Sequence, residues 1–207
     1  MKKIAFIAFL LAVCVAAGRA QESRQDVSLS GTGLIEPFIG SSTDVYVHST
    51  AAYGALASYR FMLTPNSAVE ANYGITYQNK ITFDFNGPYH NQVLTRNQEM
   101  SAAYVRSFNF RKWNPFVEVG PGAFIFMPIR NSGTQNIDAK QQTNLGAVYG
   151  AGFAYEISPS FDIRAEYRGL ITKVPTFGQT GGSSGPNFTT NKWYNIFDPV
   201  VGVAYHF

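Results

Sequence analysis

Asp162, Arg164, Glu166 and Arg168 occupy every second position of one run, and the residues between them, Phe161, Ile163, Ala165 and Tyr167, are apolar or aromatic. A spacing of two puts all four charges on one face of a β-strand; on a helix the same residues would point in different directions. Carboxylates beside guanidiniums can do two things in a confined space. They can pair and close it, or they can line a narrow water path and set which ions pass. Arg60, Glu70, Glu118 and Glu156 sit at equivalent polar positions of other alternating runs, with Asp198 a further candidate. An unpaired charge held away from water is costly, so these residues predict a hydrogen-bonded charge network that plugs the space they share. In the open alternative, Arg164 and Arg168 would set ion preference, and glycines around Gly120 and Gly150 would leave room for the path.

Other chemistries find less support. His48, His90 and His206 form no His-x-x-x-His pair and no cluster with carboxylates, so no metal site is expected. Hydrolysis or acyl transfer needs a serine with a histidine and an acid. His48 precedes Ser49, and His90 lies among polar residues, but no flanking motif completes either set. The sequence predicts no enzyme and no cofactor. Cys14 is the one cysteine and falls in a leader segment, which leaves the remaining chain without disulfides or a thiolate nucleophile.

The elements that must position the charges are strands. Residues 67–78, 145–157 and 161–172 alternate strictly, each near the roughly 9–11 residues of a membrane-crossing strand. In the first, Val69, Ala71, Tyr73, Ile75 and Tyr77 share one face; Glu70, Asn72, Gly74, Thr76 and Gln78 share the other. Residues 25–37, 52–63, 97–108, 115–125 and 193–207 supply five more candidates, which makes eight. Arg106 falls on the apolar face of its run, close to the strand end, where an outward Arg costs only about 0–1 kcal/mol. Pro121 would remove a ladder bond and suggests a bulge or kink. Short connections at 64–67, 109–114 and 158–160 alternate with long polar ones at 39–49, 79–95, 127–143 and 173–192. That order predicts an all-β fold: an eight-stranded antiparallel up-and-down barrel with short turns at one end, long loops at the other, and both termini at the turn end. Tyr46, Phe83, Phe85, Tyr89, Phe177 and Phe188 fall in the long loops and are expected to form an outer aromatic girdle, with surface-interaction sites as the alternative.

Residues 1–20 form a cleavable secretory leader, with Lys2 and Lys3 before an apolar stretch that is too short to span a bilayer as a helix. Residues 21–207 are the barrel domain. The whole chain has 16 Lys and Arg against 13 Asp and Glu; without Lys2, Lys3 and Arg19 the balance is 13 against 13. The basic character belongs to the leader, so no nucleic-acid partner is expected. Alternation would also suit a secreted sandwich with its apolar face inward. The glycines on the polar face (Gly74, Gly120, Gly122, Gly146, Gly150, Gly152, Gly202) argue against it, because a solvated face does not need them and a narrow lumen does.

The last residues alternate as well, and the chain stops on Phe207. The ending resembles the C-terminal assembly signal of bacterial outer-membrane β-barrels: Gly202, then aromatics three and five residues on, Tyr205 and Phe207. The chain from residue 21 onward resembles the OmpA-like and OmpX-like family of small eight-stranded barrels. The resemblance implies an integral protein of the Gram-negative outer membrane with periplasmic termini. It implies contact with outer-membrane lipids, lipopolysaccharide and the assembly machinery, and a monomer. With nothing after Phe207, no peptidoglycan-binding domain is expected. The implied roles are non-enzymatic, structural or surface-interacting, with a narrow porin-like channel as the alternative and a lipid-modifying enzyme as a lesser one.

Overall fold

The computed structural model describes residues 24–40, 45–85, 89–134, 137–181 and 186–207. The expected leader, residues 1–20, lies outside these, as do residues 182–185 of the last long connection. Where apolar and polar residues alternate, strands form: β1 (Gln25–Leu34), β2 (Ile39–Gly40), β3 (Val45–Ser49), β4 (Ala52–Thr64), β5 (Ser67–Phe85), β6 (His90–Ser107), β7 (Trp113–Gly133), β8 (Gln142–Ser158), β9 (Phe161–Lys173) and β10 (Trp193–His206). Eight of them, β1 and β4 to β10, pair antiparallel with their chain neighbours. β10 returns to pair with β1, with Val27 opposite Tyr205 and Leu29 opposite Val203, so the sheet closes into a barrel. Closure leaves no free edge at mid-barrel, which a strand-built membrane protein requires. The short strands β2 and β3 add to the outer part of β5.

The apolar face points outward. Val27, Leu29, Tyr73, Tyr104, Val119, Phe153 and Tyr167 are exposed, while Ser28, Glu70, Asn72, Glu118 and Arg168 on the same strands are buried. Trp113 packs on Phe153 and Tyr155, and Phe161 on Tyr205, as an aromatic belt at the turn end. Arg106 faces outward and donates to the Ser67 hydroxyl at 2.8 Å.

Several expectations need correction. The first strand ends at Leu34 rather than at residue 37. The register is the same on both sides of Pro121, with Ser101 opposite Gly122 and Tyr104 opposite Val119; ladder pairs are missing there, but no bulge forms. Most of the described part of 79–95 and the start of 127–143 are strand, because β5, β6 and β7 run on well past the expected boundaries.

The extension depends on two bulges. On β5, Thr76 pairs with Asn97 and then Asn79 with Thr95, so Tyr77 and Gln78 together oppose one residue. Gln78, expected in the lumen, is exposed with φ 61°. On β7, Thr95 pairs with Pro128 and Leu94 with Arg130, which leaves Ile129 over. One extra residue flips every later side chain to the other face. Odd-numbered residues of β5 therefore point outward up to Tyr77 and inward from Asn79 on. Ile81 and Phe83 are wholly buried. Below its bulge β5 carries its apolar residues on the outside, and above it on the inside. Above the bulges Phe83, Phe177 and Phe188 join Ile81, Val93 and Phe126 in a core that closes the loop end. Phe83 stacks on Phe188 at 4.1 Å between ring centroids and meets Phe177 edge-on at 6.1 Å. These three phenylalanines are a packed cap, not a girdle; each contributes roughly 1.5–3 kcal/mol by leaving water. Tyr46 and Tyr89 are exposed, and Phe85 packs against the cap.

Candidate functional site

Arg168 stands at the middle of the lumen with no exposed surface. It comes from β9, and its guanidinium reaches three other strands. Nη2 pairs with Glu99 of β6 at 2.5 Å, Nε with Glu118 of β7 at 3.1 Å, and Nη1 with Asp198 of β10 at 3.1 Å. The Thr32 hydroxyl of β1 donates to the other oxygen of Asp198. One planar, five-donor group thus ties five strands across the bore, a geometry that a lysine could not reproduce. Glycine makes room for it. The Glu118 carboxyl lies 3.0 Å from where a Cβ of Gly150 would sit, so any side chain at position 150 would crowd Glu118.

A second layer lies toward the turn end. Arg60 and Glu70 are register partners on β4 and β5 and pair at 2.6 Å. Arg164 donates to Asp26 at 2.6 Å and approaches Glu70 at 3.8 Å. The Arg60 guanidinium also sits 4.8 Å over the Phe116 ring. At the rim His206 meets Asp162 at 2.8 Å, beside Glu156, the register partner of Asp162. Below the second layer is an open vestibule of about 440 Å³, lined by residues that include Arg60, Glu156, Asp162, Arg164 and His206. Above Arg168 lies a cavity of about 20 Å³ between Leu56, Phe124, Phe126 and Leu170, space for one water.

Of the residues that the sequence singles out, Arg60, Glu70, Glu118, Arg164 and Arg168 come together in the two layers. Asp162 and Glu156 stay at the rim. Glu166 lies against Gly152 and forms no ion pair among the described residues. Asp26 and Glu99 complete the network and are not among the residues that sequence reasoning picks out. Their alternation marks them: Asp26 precedes Ser28 and Ser30 on the inward face of β1, and Glu99 lies one residue before outward Met100.

The histidine–serine pair does not form a relay. His48 contacts Asp84 at 3.3 Å, but the Ser49 hydroxyl donates to Glu36 at 2.8 Å. Desolvation raises the Glu36 carboxyl above the ordinary glutamate value, against hydrogen bonds from Ser49 and from Asn79 at 2.6 Å that lower it. Among the described residues no group of three or more His, Cys, Asp or Glu could hold a metal.

Gly202 faces Ser30 and the Leu29 carbonyl across the closing seam, where a Cβ would collide with the β1 backbone. Tyr205 packs on Phe161 and on Phe207, at 5.0 and 6.1 Å between centroids. The Phe207 N–H still donates to the Gln25 carbonyl at 3.1 Å.

A family model for the outer membrane protein beta-barrel domain matches residues 5–207. The chain belongs to that family. It is an integral outer-membrane β-barrel protein, as the closed barrel and its apolar exterior require. Compared by sequence with curated proteins, this outer-membrane barrel matches none. Its fold is similar to that of the outer membrane protein OprG from Pseudomonas aeruginosa, with TM-score 0.60 and 10% identity over 91% of this chain and 98% of that one. It is similar also to Neisserial surface protein A, with TM-score 0.58 and 14% identity over 89% and 98%. Ail, the attachment invasion locus protein of Yersinia pestis, follows at 0.51 and 14% over 90% and 100%. At such identities the likeness is one of fold.

Proposed function

We propose that this outer-membrane barrel is a closed, non-enzymatic scaffold. It acts by holding its long-loop end at the cell surface, with the short turns and both termini in the periplasm, and it works as a monomer. The observation that carries this reading is the Arg168 cluster, which fills the bore at mid-height. The aromatic cap above it, around Phe83, is a second closure. An eight-stranded lumen is just wide enough for side chains, so a paired network spanning it leaves no aqueous path. Attachment, the role in Ail's full name, suits such a scaffold, whose business is at the rim rather than through the bore. The ending Gly202, Tyr205 and Phe207 supports delivery by the outer-membrane assembly machinery.

Planar-bilayer recording tests the closure. The expected result is no steady unit conductance from the native protein. Steady unit events whose size changes with Arg164→Ala or Arg168→Ala would replace the scaffold by a channel. Cysteine labelling in intact cells tests the orientation. A thiol placed at Ser132, on the loop end, should react with an impermeant reagent, and one at Lys112, on a turn, should not. The reverse pattern would invert the barrel.

A further inference from the structure

The outer rim of β5, β6 and β7 carries three cations, Lys80, Arg96 and Arg130, that pair with no acid among the described residues. Lys80 and Arg130 are the register partners of Leu94 on either side, and direct partners share a face. Leu94 lies between the wholly buried Val93 and Thr95, so all three point outward. Arg96, two residues along β6, also points outward; its guanidinium sits 5.2 Å over the Tyr77 ring. Adjacent strands are about 4.8 Å apart and alternate residues about 6.8 Å, so these three long side chains can converge on one group a few ångströms wide. Among the described residues none of the three forms an ion pair, and the Nε of Arg96 donates to no protein atom. Arg106, the outward arginine at the opposite end, is different: the Ser67 hydroxyl holds it.

The surroundings of the cations are apolar on the membrane side. Ile75, Tyr77, Ile125 and Met127 flank β6 just below, at the start of the outward hydrocarbon face. Beside Arg96 a groove of about 450 Å³ is lined by Met127, Pro128, Ile129, Ala139 and Gln141. The nearest acid along β5, Asp84, is occupied with His48, and Asp138 precedes Ala139 in the chain. A ligand suited to this rim carries a compact multivalent anion on top of acyl chains.

We propose that Lys80, Arg96 and Arg130 bind a phosphate of the lipid A portion of lipopolysaccharide, with an acyl chain in the groove at Met127 and Pro128. The assignment to lipid A rather than to a phospholipid rests on the proposed placement of the loop end at the cell surface. Phosphate takes charge-assisted hydrogen bonds from guanidinium and ammonium donors. The Tyr77 ring fixes the Arg96 guanidinium where hydrocarbon gives way to headgroups.

Native mass spectrometry and titration in detergent micelles test this, with bis-phosphorylated lipid A, the same lipid enzymatically dephosphorylated, and phosphatidylglycerol as probes. Each neutralised cation should weaken lipid A binding on the order of fivefold, and the triple variant K80Q/R96Q/R130Q about 100-fold. Arg96→Lys, which keeps the charge, should lose less than Arg96→Gln. Native-like binding by the triple variant, or by dephosphorylated lipid A to the native protein, would overturn the site. Equal affinity for phosphatidylglycerol at equal phosphate would overturn the choice of lipid. Heat-dependent gel mobility confirms that each variant is folded. Micelles read the site whichever way the barrel inserts, so a failure here is separate from a failure of the orientation test.

Discussion

Replacing Arg168 with Met should destabilise the barrel by about 3–5 kcal/mol, the usual cost of breaking a buried ion pair from one side. Methionine nearly fills the guanidinium's stem, so little of the loss comes from a cavity. What remains is electrostatic. Glu99, Glu118 and Asp198, held 2.5–3.1 Å from the guanidinium in the native protein, are left buried with no cation between them. The change corresponds to roughly 150- to 5,000-fold in the folding equilibrium. With a urea dependence of about 2 kcal/mol per molar, the unfolding midpoint should fall by roughly 2 M. The assay is urea unfolding in lipid vesicles, followed by tryptophan fluorescence and by the fraction that keeps its unboiled gel mobility. The companion variant R168M/E99Q/E118Q/D198N removes both signs together and should recover most of the loss, because neutral groups carry no unpaired charge. A midpoint within about 0.3 M of native for Arg168→Met would refute the claim that one guanidinium holds the strands together. A quadruple variant as unstable as the single one would refute its electrostatic cause.

Phe83→Ala should cost about 3–5 kcal/mol locally, opening the loop end to protease while membrane insertion stays normal, because its partners Phe177 and Phe188 lie in the cap and not in the bilayer. Gly202→Val should block barrel closure, since the new Cβ meets the β1 backbone; the folded fraction on unboiled gels reads it. Deleting Phe207 should lower the yield of inserted protein in cells well below that of native, and normal insertion without it would argue against an assembly role for the ending. The Glu36 carboxyl is raised in the folded state, so its neutral form is favoured there. Loop-end stability should therefore be highest below the ordinary glutamate value and fall as pH rises through the raised one. Protease protection between pH 4 and 8 should show that slope, and Glu36→Gln should flatten it.

Much of this architecture is legible in the alternation of single residues. Val69 to Tyr77 and Phe161 to Arg168 specify strand, face and lumen together, because a period of two with one apolar face has one solution in a bilayer. The charge network follows from the same parity, and it hides Asp26 and Glu99 only where polar residues fall on the outward face: Gln25 beside Asp26 on β1, and Arg96 and Gln98 with Met100 on β6. The loop end is less legible. Ile81, Phe83 and Val93 alternate as well as any membrane strand, but a run of polar residues separates them from the earlier pattern. Nothing local reveals that Gln78 takes a left-handed conformation and shifts the phase. A bulge is one residue of excess against a partner strand, and that partner is not visible from the strand alone. Phe177 and Phe188 depend on it in turn, because they have a core to join only once Phe83 points inward.

The change of face at Gln78 means that the protein carries a measure of its own membrane. Eight steps separate Val69 from Tyr77. At about 3.4 Å per residue and a tilt near 40°, they rise roughly 21 Å, close to the 25 Å apolar band of outer-membrane barrels. The site at which odd-numbered residues stop facing outward is a depth mark written in backbone conformation rather than in residue type. Moving that mark two residues along β5, with its counterpart on β7, would raise the waterline by about 5 Å while leaving composition almost untouched. A barrel built this way can be retuned to a thicker or thinner bilayer by relocating a kink.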